Sequence, residues 1–171
     1  MISPDEKCAA LRTIFRPLLG DRLTRYATAE LFVAEDEEWS AWDDLPIRLY
    51  WASGAVTSVS WTKFDELVLT PDGSLPAWLM KSDSNQPRWV ENGRPALNFL
   101  LGSRLQGVEL GRGEMSVEGR ELEIWTRVIL RFENGWLEIY DALDQNGYAV
   151  HKEQPTGATR TICSERSSLE P

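Results

Sequence analysis

The side chain best suited to acid–base chemistry in this sequence is its one histidine, His151. Nucleophilic catalysis would also require a nucleophile beside it and an acidic group that orients its ring. No sequence motif places such groups around His151, which is followed by Lys152 in a polar stretch. We therefore predict no catalytic residue.

Metal and phosphate sites are not predicted either. Asp141, Asp144 and Asn146 partly resemble a calcium-binding loop, but the order of its ligands and its late glutamate are missing. An ordinary Asn-Gly turn is the simpler explanation. The glycines around Arg112 do not lie between a strand and the start of a helix, as a phosphate cradle requires. The sequence predicts no metal and no cofactor.

One acidic segment, residues 34–44, has a pattern suited to recognition. It reads AEDEEWSAWDD, with six carboxylates, two tryptophans and no basic residue. Clustered carboxylates attract a basic protein at long range, and exposed tryptophans serve as anchors after contact. The alternative is a solubilising loop or short exposed helix whose tryptophans fold back into the core. The predicted partner-binding residues are Glu35, Asp36, Glu37, Glu38, Trp39, Trp42, Asp43 and Asp44.

Composition limits the classes of partner. The chain has 171 residues and a net charge of −9, which disfavours nucleic acid because binding to phosphates depends on basic residues. No apolar run approaches the 18 residues of a membrane span, and the start MISPDEK lacks the features of a signal peptide. Cys8 and Cys163 have no metal-like spacing and are interpreted as reduced thiols, with a single long-range disulfide as the alternative. We expect a cytoplasmic protein that binds neither nucleic acid nor membrane.

The central structural element is a β-hairpin across residues 121–143. Asn134-Gly135 lies between two runs of β-forming residues, which predicts a type I′ turn at these two positions. The resulting register pairs Leu130 with Ile139 and separates two faces. One face carries Val128, Leu130, Phe132, Leu137 and Ile139, and the other carries Trp125, Arg127, Arg131, Glu138 and Tyr140.

The other elements are predicted from caps and alternation. Ser3 and Glu6 form a capping box for a helix that should end near Arg16, since Pro17 follows. Strands are expected over residues 24–33, 105–110 and 148–150, together with a second hairpin over residues 45–61. The fold class is therefore α+β, with a single curled antiparallel sheet and the N-terminal helix packed on it. Residues 1–150 should form one domain, and residues 151–171 a polar C-terminal tail.

Taken whole, the chain resembles the small, acidic, single-domain immunity proteins that accompany bacterial polymorphic toxins. The resemblance is one of type and rests on size, acidity and the patterns WTKFDEL, ELGRGEMS and GWLEIYDALDQNGY. It implies a non-enzymatic inhibitor that binds a basic toxin domain. The alternative is a small-molecule-binding or enzymatic domain, in which several of the eight tryptophans line a pocket inside the curled sheet.

Overall fold

The computed structural model describes residues 3–74, 87–117, 120–142 and 145–165. Helix α1 (Pro4–Phe15) begins with the predicted capping box: the Ser3 hydroxyl accepts from Glu6 N, and the Glu6 carboxylate accepts from Ser3 N at 2.8 Å. A 3₁₀ helix, Arg16–Leu18, follows where Pro17 interrupts the regular pattern, as predicted. None of the helices in the described residues is long and apolar enough to cross a membrane.

The strands form two antiparallel sheets. The first sheet has the order β2-β1-β3-β4-β5, with β6 also paired to β1, and the second has the order β10-β9-β8-β7-β11. The bounds are β1 Leu23–Val33, β2 Glu38–Ala41, β3 Ile47–Trp51, β4 Val56–Thr62, β5 Glu66–Thr70, β6 Arg88–Glu91, β7 Leu105–Val117, β8 Arg120–Phe132, β9 Gly135–Asp141, β10 Asn146–His151 and β11 Thr159–Ser164. The α+β class and its antiparallel pairing are confirmed, and the strands divide between two sheets where one curled sheet was expected.

The two sheets are joined at a corner by backbone hydrogen bonds. On the edge of β1 opposite β3, β6 pairs with residues 27–30, and residues 102–105 pair with residues 20–23 before the chain continues as β7. A 3₁₀ helix, Pro95–Leu100, interrupts this line between β6 and the corner. The chain therefore passes from the first sheet into the second along one edge of β1.

A second connection between the sheets depends on Asn146, the first residue of β10. Its side chain is 2% exposed, and its Nδ2 donates to the carbonyls of Asp43 (2.6 Å) and Leu45 (3.0 Å). Its Oδ1 accepts from Trp61 N at 2.6 Å. The Trp61 indole also donates to Ile139 O at 3.0 Å. One amide thus binds the N–H of Trp61 on β4 and two carbonyls of the segment between β2 and β3.

Helix α1 packs on the core through Leu11 and Phe15, and it also buries a lysine. Lys7 is 2% exposed and donates from Nζ to Trp125 O (3.0 Å) and Asp65 Oδ2 (3.3 Å). Its Nζ lies 5.4 Å from the centre of the Trp61 ring. Because both the charge and its hydrogen atoms have partners, the ammonium can be accommodated between the helix and the sheets.

The register of the central hairpin differs from the prediction by two residues. Phe132 pairs with Gly135, and Leu130 pairs with Leu137 instead of Ile139. The turn is formed by residues 133–134, and Asn134 is not among the non-glycine residues with positive φ, so the predicted type I′ turn is wrong. Because side chains alternate with a period of two, a shift of two residues leaves each face unchanged. Val128, Leu130, Phe132, Leu137 and Ile139 are all buried, as predicted.

Trp125 is an exception to the predicted faces. The pairing between β7 and β8 shifts between Gly111 and Arg112, where Arg127 and Trp125 are the successive partners and Thr126 is extra. Such a bulge reverses the alternation beyond it. Trp125 therefore belongs to the core cluster.

Two expectations about connecting segments are corrected. Residues 34–44 are neither a plain loop nor a helix, because β2 forms within them and pairs with β1. The segment from residue 151 is not only a tail: β10 crosses residue 150, and β11 pairs with β7 and buries Ile162 and Cys163. Alternation in such a short strand is too weak to detect, and the pairing partner lies about fifty residues earlier in the chain. Residues 166–171 lie outside the described residues.

Replacing Asn146 by Ala should lower the free energy of unfolding by about 2 to 5 kcal/mol, because the buried backbone groups Trp61 N and Leu45 O lose their bond to its side chain. Urea denaturation measures this change. Asn134→Ala is the matched control, since Asn134 is exposed in the turn between β8 and β9, and it should change stability by about 0.5 kcal/mol or less. Equal effects of the two substitutions would contradict the assigned role of Asn146.

Candidate functional site

The predicted acidic segment lies largely on a two-stranded extension of the first sheet. We call residues 30–41, the far ends of β1 and β2 with their turn, the β1–β2 arm. β3 pairs with β1 only up to Ala27, and β6 only up to Glu30. Beyond Glu30, β2 is the only described strand paired with β1. The arm therefore extends past the rest of the sheet.

Two aromatic side chains are exposed together on one face of the arm. Phe32 and Trp39 are cross-strand partners, each 38% exposed, and their rings meet edge to face with centroids 5.6 Å apart. The guanidinium of Arg88 on β6 stacks on Trp39, 4.3 Å from the ring centre. It also pairs with Glu30 at 2.6 Å. This arrangement holds the Trp39 ring in place while leaving much of its surface open to solvent.

The end of the arm is strongly negative. Glu35, Asp36, Glu37 and Glu38 are all exposed, and none of them takes part in an ion pair with another described residue. Glu37 adopts φ 54°, a left-handed conformation that costs free energy for a residue with a Cβ. The structure thus places Glu35 to Trp39 at the end of the arm, and Phe32 lies beside them. Alternation along β1 is the signal that could have identified Phe32.

The remaining three predicted residues are turned toward the protein. The Trp42 indole donates to Asp44 at 2.8 Å, and the Asp43 carboxylate is paired with Arg94. Burial raises the pKa of Asp43, and the neighbouring Arg94 opposes that shift. The Asp43 carbonyl also accepts from Asn146. Trp42, Asp43 and Asp44 therefore support the junction of the sheets more directly than they support an outer surface.

Apart from Trp39, the tryptophans of the described residues are buried or half-buried. Trp51, Trp61 and Trp125 are core residues, and Trp51 stacks on Phe132 with ring centres 6.2 Å apart. Trp89 is half-buried beneath the Arg48 guanidinium, 3.7 Å from its ring centre. Trp78 lies outside the described residues. The tryptophans of the described residues thus serve mainly packing, with Trp39 as the most exposed.

A polar cleft of about 470 Å³ lies on the outer face of the second sheet. Its floor is Glu138, which is 7% exposed and paired with Arg127. His151 Nε2 shares a hydrogen bond with Glu138 Oε2 at 2.7 Å. Residues 152–156 form the opposite wall. The only histidine of the chain is therefore held by a buried carboxylate, a contact that no local sequence motif indicated.

Arg127 also fastens the loop between β10 and β11. Its Nη1 donates to Thr156 O at 3.0 Å and to Arg112 O at 3.2 Å. A Cβ atom at Gly157, where φ is +105°, would lie only 2.8 Å from that nitrogen. Gln154 further donates to Glu109 at 3.2 Å, and Pro155 is buried. The polar cluster around Arg127 therefore has a structural role: it holds the loop between β10 and β11 against the second sheet. We call these contacts the clamp.

We find neither a metal site nor a reactive thiol among the described residues. No group of three His, Cys, Asp or Glu side chains that could hold a metal ion occurs within the described ranges. Cys8 and Cys163 are free, and burial raises the pKa of both thiols, which keeps them protonated near neutral pH.

Comparison with known proteins provides no family for this chain: no family model, curated protein or solved structure matches it. Its function must therefore be argued from its own residues.

Replacing Arg127 by Met should open the loop over residues 152–158, because Glu138 loses its cation and two carbonyls lose their donor. We expect a loss of about 3 to 5 kcal/mol, as for one partner removed from a buried ion pair. Hydrogen exchange should also become at least tenfold faster in the loop. The double variant Arg127→Met/Glu138→Gln should recover part of this loss, since it leaves no unpaired buried charge. An unchanged loop in the single variant would contradict the clamp.

Proposed function

We propose that this chain is a non-enzymatic protein-binding domain, an immunity-type inhibitor that binds a basic toxin domain through the β1–β2 arm. The observation that carries the proposal is the exposed Phe32–Trp39 pair beside four carboxylates without basic partners among the described residues. Aromatic anchors bordered by charge are typical of surfaces that bind proteins.

Two physical steps make the arm suitable for a basic partner. The carboxylates of Glu35, Asp36, Glu37 and Glu38 repel each other in the free protein, and a cationic surface would relieve this repulsion. Their field attracts such a surface before contact, which raises the association rate. Phe32 and Trp39 can then lose their remaining exposed area to the partner, which slows dissociation. Inhibition follows if the partner's catalytic groups lie under the arm.

The four substitutions Glu35→Gln, Asp36→Asn, Glu37→Gln and Glu38→Gln, made together, should reduce the association rate by about tenfold or more at low salt. The difference from the wild type should shrink as salt screens the charges. The partner is captured by pull-down, or supplied as the product of the neighbouring gene, and the rates are measured by surface plasmon resonance.

A control variant removes the same charge elsewhere, through Asp5→Asn, Glu66→Gln, Glu91→Gln and Glu153→Gln. Asp5, Glu91 and Glu153 are exposed and Glu66 is half-buried. All four lie outside the arm, so the association rate should stay close to that of the wild type. If both sets slow association equally, only net charge matters and the arm is not the recognition surface.

Trp39→Ala should raise the dissociation rate at least tenfold and leave the unfolding midpoint nearly unchanged, because the ring is exposed and lies outside the core cluster. Trp42→Ala is the comparison, since Trp42 is half-buried and bonded to Asp44. It should affect stability more than dissociation. A partner that dissociates from the Trp39 variant at the wild-type rate would remove the arm from the interface.

A second candidate function, small-molecule binding, is supported by the cleft over Glu138 and His151. No tryptophan lines this cleft, unlike the pocket that the sequence suggested. Thermal-shift screening with a metabolite panel tests the idea. A compound that stabilises the wild type but not a His151→Phe variant would favour it over the protein-binding function.

A further inference from the structure

The outer edge of β2 carries backbone groups that no described strand uses. Trp42 N donates to Ala29 O at 2.9 Å, which makes these two residues a hydrogen-bonded pair. In an antiparallel ladder such pairs alternate with non-bonded pairs. Leu31 with Ser40 and Val33 with Glu38 are then the next bonded pairs of the arm, according to the register. The N–H and C=O groups of Trp39 and Ala41 must therefore point away from β1.

The contacts of β1 on its other side agree with this assignment. Asn92 N donates to Tyr26 O at 2.9 Å, so the even-numbered residues from Tyr26 to Glu30 direct their backbone groups toward β6. The odd-numbered residues that follow direct theirs toward β2. The non-bonded pair Phe32–Trp39 also has the close side-chain contact expected of such a pair. Within the described residues, β2 pairs with β1 alone.

We propose that this β2 edge binds an extended, basic strand of the partner protein, which adds to the first sheet by main-chain hydrogen bonds. The inference rests on the proposed function and specifies how the arm would recognise its partner. Strand addition to an open edge derives its affinity from the main chain and its specificity from alternate side chains. A strand beside Trp39 and Ala41 would gain up to four backbone hydrogen bonds.

Charge determines which strand can occupy the edge. Glu38 lies on β2 itself, and Glu35, Asp36 and Glu37 directly precede this strand. An added strand would pass close to these carboxylates, so lysine or arginine at alternate positions would be favoured. A second copy of this chain is disfavoured, because each copy has a net charge of −9 and the same carboxylates beside its β2 edge. Charged residues beside an open edge are a known protection against self-association.

The first test measures hydrogen exchange in the free protein by NMR. The amide of Ser40 should be protected, because it bonds to β1, whereas those of Trp39 and Ala41 should exchange at least tenfold faster.

The second test uses an eight-residue peptide in which lysine alternates with threonine or valine, acetylated and amidated at its ends. Its binding should slow exchange at Trp39 and Ala41. The same peptide with prolines at alternate positions should not bind.

The matched variants are Ala41→Pro and Ala41→Val. Proline removes the outward N–H and leaves the bonds to β1 intact, which edge positions tolerate. We expect Ala41→Pro to weaken peptide binding at least tenfold, and Ala41→Val to bind like the wild type. If Ala41→Pro does not fold, the exchange pattern of the wild type decides the question.

Several results would overturn the proposal. In the first, the peptide binds the Ala41→Pro variant normally and yet requires the carboxylates of residues 35–38. Such a result would show recognition by side chains alone, and the proposed function would stand. Absence of peptide binding, or no change in exchange at Trp39 and Ala41, would reject strand addition. Concentration-dependent dimerisation that Ala41→Pro abolishes would make a second copy the occupant. If a captured partner binds equally well when the carboxylates of residues 35–38 are replaced, the proposed function is rejected.

Discussion

The fold depends on satisfying the backbone where two sheets share one core. Strands that change sheets leave N–H and C=O groups without ladder partners, and a buried group in that state costs about 1 to 3 kcal/mol. At the corner, main-chain hydrogen bonds between residues 20–23 and 102–105 supply the missing partners. At the second connection, the side chain of Asn146 supplies them. Trp61 can be fully buried next to this junction because its amide and its indole both have acceptors.

The same requirement explains the polar groups found in and under the sheets. Lys7 reaches a carbonyl and a carboxylate inside the protein, and Arg127 reaches a carboxylate and two carbonyls on the outer face of the second sheet. In each case the side chain links segments far apart in the chain. Because removal of one partner would leave a buried charge alone, such groups specify one arrangement of the strands more than they add stability.

The β1–β2 arm differs from the rest of the molecule in this respect. Its carboxylates face solvent, its aromatic pair is partly exposed, and one edge of β2 carries backbone groups that no described strand bonds. None of these features contributes to the core, because the arm projects beyond the strands that enclose the core. Groups left unsatisfied on the surface of a well-packed domain are the ones available to a partner, and this contrast is the physical basis of the proposed function.

From the sequence alone, the local elements were predictable. The capping box of α1, the hairpin of β3 and β4 around Gly54, and the buried face of β8 and β9 all depend on residues close together in the chain. The acidic, tryptophan-bearing segment was also recognisable as a candidate surface. Each of these follows from side-chain alternation or from a short-range hydrogen bond.

Only the tertiary structure decided the rest, because the deciding contacts join distant residues. Whether Asn146 belonged to an exposed turn or to a buried junction depended on carbonyls about a hundred residues earlier. The bulge that turns Trp125 inward and the pairing that makes β11 a strand depend on β7. For the same reason the predicted surface was divided. Glu35 to Trp39 remain outside, whereas Trp42 to Asp44 lie at the junction, since Arg94 and Asn146 bind Asp43 there.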